Sequence, residues 1–351
     1  MNASQTNSTL SQLLAARPDW QVWLESVLLC LIDAVALIGN IIVWLAVIRN
    51  PNLRKLSTNL FILSLSFSDI LMACTCMPLS LAVLFQGKWS LGSIACQIHG
   101  LFYFVLAFVS LETVALVAVN RYISVAKPRI YRSLFTYKNS LTMIISIWII
   151  CIFYVCIFAV LQGPVFYFHA GKLICHIRLH DMAYKNTWNI ITGLLFALLP
   201  MATLFLCYFK LFRAVRRHNK MTVRSLRRHC TLNSSNHEEI RITKVILAIM
   251  VGFCCCWVPS FAIAYLRLID AKLVETRTPH LIYIYLVYSS SMINPIIYGI
   301  LNRTFRTEFI KILSCKRSDV PRQTSTEAME MKKLRLSRES SHKMSLRSIK
   351  N

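Results

Sequence analysis

Charged side chains are scarce. Only 15% of the 351 residues are Asp, Glu, Lys or Arg, where soluble domains carry about 25%. Such a chain cannot cover its surface with polar groups, so a water-soluble globule is excluded and the bilayer is the natural solvent. A mean hydropathy of +0.54 agrees. Acids are scarcer still, 15 against 39 Lys and Arg, for a net charge of +24. That excess lies in links and in the tail rather than on one face of a domain, so no nucleic-acid partner is implied. No Ser/His/Asp or metal-ligand cluster is evident, which removes support for an enzyme. Repeated halves, the mark of many transporters, are also missing. Most of the 13 cysteines sit inside apolar runs, among them Cys30, Cys74, Cys151, Cys207 and Cys254, where they act as small hydrophobes. No basic start followed by an apolar core marks a cleaved signal peptide.

What is present is a set of seven apolar stretches, near residues 24–48, 57–85, 97–121, 140–161, 187–212, 242–266 and 280–301. Each has about the 20 residues that cross a hydrocarbon core as a helix. The links between them are short, so the expected organisation is an N-terminal segment (1–23), one seven-helix domain (24–313) and a basic, Ser/Thr-rich tail (314–351) that reads as disordered. Eight Lys and Arg fall on the N-terminal side: Arg17, Lys88, Lys172, Arg178, Lys185, Arg267, Lys272 and Arg277. The other 31 of 39 lie on the opposite side. The positive-inside rule then puts the N-terminus outside and the tail in the cytoplasm. Asn2 and Asn7 fit the glycosylation pattern on the outer side.

The stretch from Cys96 to Tyr122 is the expected central rod. Twenty-five residues separate Cys96 from Arg121, roughly 37 Å as a helix. Tyr103, Ser110, Val114, Val117 and Arg121 share one face of it by 3–4 spacing, and Glu112 points away, toward a neighbouring helix. Polar residues in the spans are costly and default to functional candidates. Asp69 is the clearest, with Asn40, Ser110 and Asn294 mid-span on other helices. Oxygens grouped this way hold a small cation such as sodium or a water cluster, or else form a structural knot between helices. Asp33 is a further span carboxylate whose partner cannot be read. Pro78, Pro200, Pro259 and Pro295 kink their helices.

These residues resemble the rhodopsin-like (class A) G-protein-coupled receptors over about residues 24–315. The marks come in order: Gly39-Asn40, Leu65 with Asp69, Cys96 and Asn120-Arg121-Tyr122, Trp148, Pro200 with Tyr208, Phe253 with Cys256-Trp257-Val258-Pro259, and Asn294-Pro295-Ile296-Ile297-Tyr298. The resemblance implies an all-α membrane protein, a seven-transmembrane helix bundle with a short amphipathic helix on the inner leaflet at Arg303 to Leu313. It implies a disulfide between Cys96 and Cys175, and a sodium pocket of Asn40, Asp69, Ser110 and Asn294, with sodium as an allosteric ligand and no other cofactor. It makes Phe253, Trp257, Pro259, Pro295, Arg121, Tyr208 and Tyr298 activation switches, and Cys315 a palmitoylation candidate. The implied partners are an extracellular ligand, a heterotrimeric G protein, membrane lipid, and arrestin and receptor kinases acting through the tail.

Two departures bear on mechanism. Asn120 replaces the usual acid before the arginine, so Glu239, at the inner start of the sixth span, is expected to hold Arg121 instead. The Asn-Arg-Tyr form resembles melatonin-type receptors, yet Asn294-Pro295 differs from the Asn-Ala of that group. As for the ligand, Tyr103 stands where amine receptors carry an aspartate, which argues against a monoamine. Residues 280–301 contain no lysine, and Tyr288 stands at the retinal-attachment position, which excludes retinal. The outer rim has His99, His169, Lys172, His176, Arg178, His180, Arg267 and His280 against Asp181, Asp270 and Glu275. Either these charges are simply solvated or they favour an anionic small molecule, lipid or peptide, with Tyr103, Arg267 and Tyr288 as contacts.

Overall fold

A computed structural model describes residues 3–54, 56–179, 181–226, 235–269 and 276–314. For residues 3–5, 52, 214–226, 235–246, 249 and 266–269 only the backbone is described. The chain divides into a unit of residues 1–310, which holds everything below, and a second unit that begins at Lys311. In order, the elements are α1 (Ala3–Ala15), α2 (Asp19–Arg49), α3 (Pro51–Arg54), α4 (Ser57–Thr75), α5 (Met77–Gln86), α6 (Gly92–Ala126), α7 (Pro128–Leu134), α8 (Tyr137–Gln162), β1 (Phe166–His169), β2 (Ile174–Ile177), α9 (Met182–Ile191), a π-helical turn at Thr192–Leu198, α10 (Leu199–Leu226), α11 (Ser235–Ile269), α12 (Arg277–Leu301) and α13 (Arg303–Leu313).

The packing is inverted relative to a soluble bundle. On α2, Leu29, Ile32, Ala36, Asn40, Val43 and Val47 turn inward at helical spacing. Leu24, Leu28, Leu31, Val35 and Ile38 on the same helix are exposed. Apolar residues on the outside and Asn40, Asp69, Ser110 and Asn294 on the inside are what a hydrocarbon solvent selects. By length and composition, six described helices or helix pairs are able to cross a membrane, and α11 adds a shorter apolar stretch, Met250–Tyr265. The central rod is α6: 78% of its most apolar window is buried, against 17% for peripheral α8.

The four prolines sit in different settings. Pro78 sits in the first turn of α5, so the second span is two helices meeting at Cys76. Upstream of Pro200 the helix widens into the π-helical turn. A proline ring clashes with the carbonyl four residues back, and the wider register relieves that clash. Pro259 and Pro295 lie inside unbroken helices. Pro295 also approaches α2 so closely that a Cβ on Gly39 would lie 2.6 Å from its Cγ, so glycine is required there.

The N-terminal segment departs from the expectation of a merely polar lead. It forms α1, and Leu10 and Leu14 on one face of α1 are fully buried in the core. Over the same end of the bundle lies an antiparallel hairpin, β1 with β2, in which Phe166 pairs with Ile177 and Phe168 with Cys175.

Candidate functional site

The hairpin is fixed from below. Cys175 is disulfide-bonded to Cys96 at the start of α6. Beside that bond, Gln97 Nε2 donates to the Phe166 carbonyl at 2.6 Å and its Oε1 accepts from the Phe166 amide at 3.1 Å. A Cβ on Gly100 would lie 2.3 Å from the Phe166 ring, so the ring rests directly on α6 backbone. His99 is not a rim residue: it is buried, and its Nδ1 accepts from the Cys175 amide at 3.2 Å.

Above this base, α1, the hairpin, α9, α11 and α12 enclose a cavity of about 560 Å³, within the range of about 300–1,000 Å³ typical of small-molecule sites. Its polar lining is basic: Lys172 and Arg178 from the hairpin, Lys185 from α9, and His169, His176 and His280. Its apolar lining includes Trp188, Ile263 and Tyr265. The histidines are adjacent, with ring centroids 4.9 Å apart for His169 and His280 and 6.1 Å apart for His169 and His176. No group of three metal-ligating side chains forms among the described residues. Five of the expected rim cations and histidines, His169, Lys172, His176, Arg178 and His280, thus meet Lys185 in one space. His180 and the Arg267 side chain lie outside the described set.

Tyr103 and Tyr288 are placed elsewhere than the expected cavity wall. Both are fully buried beneath the hairpin. Tyr103 Oη donates to Tyr283 Oη at 3.1 Å. Tyr288 Oη pairs with Ser80 Oγ at 2.8 Å, and Ser80 Oγ donates to the Leu173 carbonyl at 2.9 Å. These hydroxyls form the floor on which the hairpin rests. Ser80 and Tyr283 are members that sequence reasoning missed, because their partners are over 90 residues away.

At mid-bundle, Asp69 is buried, and Asn294 Nδ2 donates to its Oδ2 at 2.9 Å; Ser110 Oγ reaches Oδ1 at 3.5 Å. Ser291, unnoticed in the sequence, is a further hydrogen-bonding neighbour. Asn40 is brought to the same helix pair, but its Nδ2 donates to the Ser291 carbonyl at 3.0 Å rather than to Asp69. The side-chain oxygens of Asn40 and Asn294 are buried without a donor among the described residues. A carboxylate beside orphaned amide oxygens is a donor set that suits a hard monovalent cation. Asp33 has one oxygen buried without a partner, and Glu112 turns to the α8 side beside Cys151.

On α11, Phe253 and Trp257 pack with ring centroids 5.7 Å apart, just before Pro259. Asn120 is fully buried, and its Oδ1 accepts from Thr58 Oγ1 at 3.2 Å; Thr58 Oγ1 also meets Tyr131 Oη at 3.2 Å. The residue that replaces an acid therefore pins α6 to α4 and α7. Arg121 Nε and Tyr208 Oη have no partner among the described residues, and Tyr298 stacks on Phe305 of α13 at 5.2 Å. The Glu239 side chain, Asn2 and Cys315 lie outside the described set.

A lipid-solvated bundle with a polar centre and a ligand-sized cavity at one face defines a membrane receptor scaffold. Comparison with known proteins agrees. A family model described as 7 transmembrane receptor (rhodopsin family) matches residues 39–298. Melatonin receptor type 1B-B of Danio rerio is 28% identical over 323 residues, covering 89% of this chain and 87% of that one. Galanin receptor 2a of Danio rerio is 27% identical over 90% of this chain and 84% of its own length. Histamine H2 receptor of Cavia porcellus is 27% identical over 83% and 79%. The chain belongs to the rhodopsin family of seven-transmembrane receptors. It is a multi-pass membrane protein and a receptor rather than an enzyme.

Proposed function

We propose that this receptor sits in the plasma membrane with its N-terminal face outside, takes an anionic small molecule or lipid with an apolar body, and activates a heterotrimeric G protein. The observation that carries this reading is the basic lining of the cavity bounded by α1, the hairpin, α9, α11 and α12, with Trp188, Ile263 and Tyr265 beside it. Charge-assisted bonds to a carboxylate or phosphate are short and strong in such a space. The relatives named for melatonin, galanin and histamine differ too much in ligand to choose one. A cationic amine finds Tyr103 where it needs a counter-ion, and the Tyr103 hydroxyl is already committed to Tyr283.

Ligand binding energy shifts a pre-existing equilibrium toward the state that binds the G protein. The Phe253–Trp257 stack and the Pro259 kink connect cavity and inner end, Arg121 meets the G protein, and Asp69 with Asn294 and Ser110 holds sodium in the resting state. Arrestin and receptor kinases act on the tail. The test is G-protein activation in cells across a panel of carboxylates, lysophospholipids and peptides. One anionic member should activate, and its neutral amide or ester should not. Arg178→Ala should raise the half-maximal concentration by about tenfold or more, the loss of one charged hydrogen bond. Arg121→Ala should abolish the signal without removing binding. Activation by neutral members with Arg178→Ala unchanged refutes the reading.

A further inference from the structure

The N-terminal helix is attached more firmly than a leader needs to be. Leu10 and Leu14 are fully buried. Asn7 spans the hairpin turn: its Nδ2 donates to the Phe168 carbonyl at 3.0 Å and its Oδ1 accepts from the Ala170 amide at 3.0 Å. Thr6 and Asn7 line the cavity itself. Just after α1, Arg17 Nε donates to the Leu14 carbonyl at 2.7 Å, its Nη2 donates to the Leu84 carbonyl, and its Nη1 pairs with Glu25 Oε2 at 2.7 Å. Glu25 is buried and engaged on both oxygens. Gln21 Nε2 reaches its Oε1 at 2.9 Å and Arg277 Nη1 reaches it at 2.7 Å, and Arg277 Nη2 donates to Oε2. Tyr285 Oη donates to its backbone carbonyl at 2.7 Å.

One carboxylate therefore ties three places together: the link after α1, the first turns of α2, and the start of α12. Two guanidiniums flank it, and burial draws the Arg17 group below its ordinary pKa. Removing the carboxylate leaves two desolvated cations, Arg17 facing only the Leu14 and Leu84 carbonyls and Arg277 without its carboxylate, which is costly. Packing of Leu10 and Leu14 alone needs no such centre.

We propose that α1 is a latched wall of the ligand cavity: Glu25, bridging Arg17 and Arg277, positions it so that Thr6 and Asn7 complete the site, and entry from the N-terminal face requires α1 to lift. This deepens the cavity's assignment as the ligand site and rests on it. Thr6 and Asn7 then help set which ligands fit, and Glu25 is a positioning residue that never touches ligand.

The test reads the wall without any ligand. In the full-length receptor on intact cells, Leu14→Cys is labelled with a neutral, membrane-impermeant maleimide, against the parent's background. Ala264→Cys, inside the cavity, is titrated with the anionic reagent 2-sulfonatoethyl methanethiosulfonate. Both should react slowly while Glu25 is present, and about tenfold or more faster with Glu25→Gln. Arg17→Gln, which leaves the Glu25–Arg277 pair, should reproduce the acceleration and serves if Glu25→Gln does not reach the surface. Leu106→Cys, buried on α6, should stay unreactive in every background, which separates lifting of α1 from loss of fold. Equal rates with and without Glu25 overturn the latch. Faster labelling of Leu14→Cys with Ala264→Cys unchanged overturns its role at the entrance. A full glycan on Asn7 in peptide mapping overturns the seating, because the sugar would displace the hairpin contact. None of these outcomes depends on whether an anion activates the receptor, so the ligand reading fails or survives separately.

Discussion

Replacing Asn120 with Asp alters one atom's chemistry in the middle of a buried junction. The Asn120 Oδ1 accepts from Thr58 Oγ1 at 3.2 Å, and an aspartate keeps that acceptor. Its Nδ2 has no partner among the described residues, and neither has Arg121 Nε, one residue on. Asn120→Asp puts a charged acceptor where the idle amide was, beside a charged donor that lacks one. Hydrogen bonds to charged groups contribute about 1.5–3 kcal/mol, and desolvating a carboxylate at a fully buried site offsets part of that. A net gain of about 1.4 kcal/mol corresponds to tenfold in an equilibrium constant. The gain applies to the state in which Arg121 is held in the bundle, so ligand-free activity should fall by up to about tenfold. The assay is nucleotide exchange on a G protein in membranes of matched receptor number, without ligand. Asn120→Ala, which removes the Thr58 acceptor but leaves the Thr58–Tyr131 contact and adds no charge, should not lower activity. Basal exchange in Asn120→Asp equal to or above the parent would refute the idea that the arginine lacks a near restraint.

Glu239→Ala, the complementary change across the bundle, should raise ligand-free signalling in a reporter assay, and an unchanged basal level counts against it. Ser80→Ala removes the hydroxyl between Tyr288 and the Leu173 carbonyl, leaving two buried groups unpaired. Purified receptor should lose about 2–3 kcal/mol, read as a lower melting temperature, whereas Tyr288→Phe should lose less because the Ser80–Leu173 bond survives. Gly100→Ala forces a methyl into the Phe166 ring and should destabilise by about 1–3 kcal/mol through overpacking, with larger losses for Val. Asp69→Asn removes the one charge at the polar centre; if a cation sits there, the dependence of agonist affinity on sodium should vanish while potassium substitution changes nothing.

Much of the bundle was legible because the bilayer imposes a length and a polarity on each span. Asn294 and Ser110, grouped with Asp69 by the resemblance, both lie within hydrogen-bonding distance of its carboxylate. Asn40 spends its amide on the Ser291 backbone rather than on Asp69. Tyr103 and Tyr288 are aromatic and on inward faces, which a pattern reads as cavity lining. What makes them the floor is the hairpin seated over them, held by Cys175, Gln97 and the close approach at Gly100.

The sequence by itself determined a lipid-solvated, multi-span helical chain with polar residues mid-span and a basic rim, and its resemblance to rhodopsin-like receptors implied the receptor class and the disulfide. Composition, span length and ordered motifs carry that information locally. Only the tertiary structure decided that Lys172, Arg178, Lys185 and three histidines share one cavity. It alone showed Asn120 joined to Thr58, and Glu25 pairing with Arg17 nearby and with Arg277 across 252 residues of chain. The physical reason is the same in each case. A buried polar atom must find a partner, but which partner depends on where helices distant in sequence come to lie, and no local pattern encodes that.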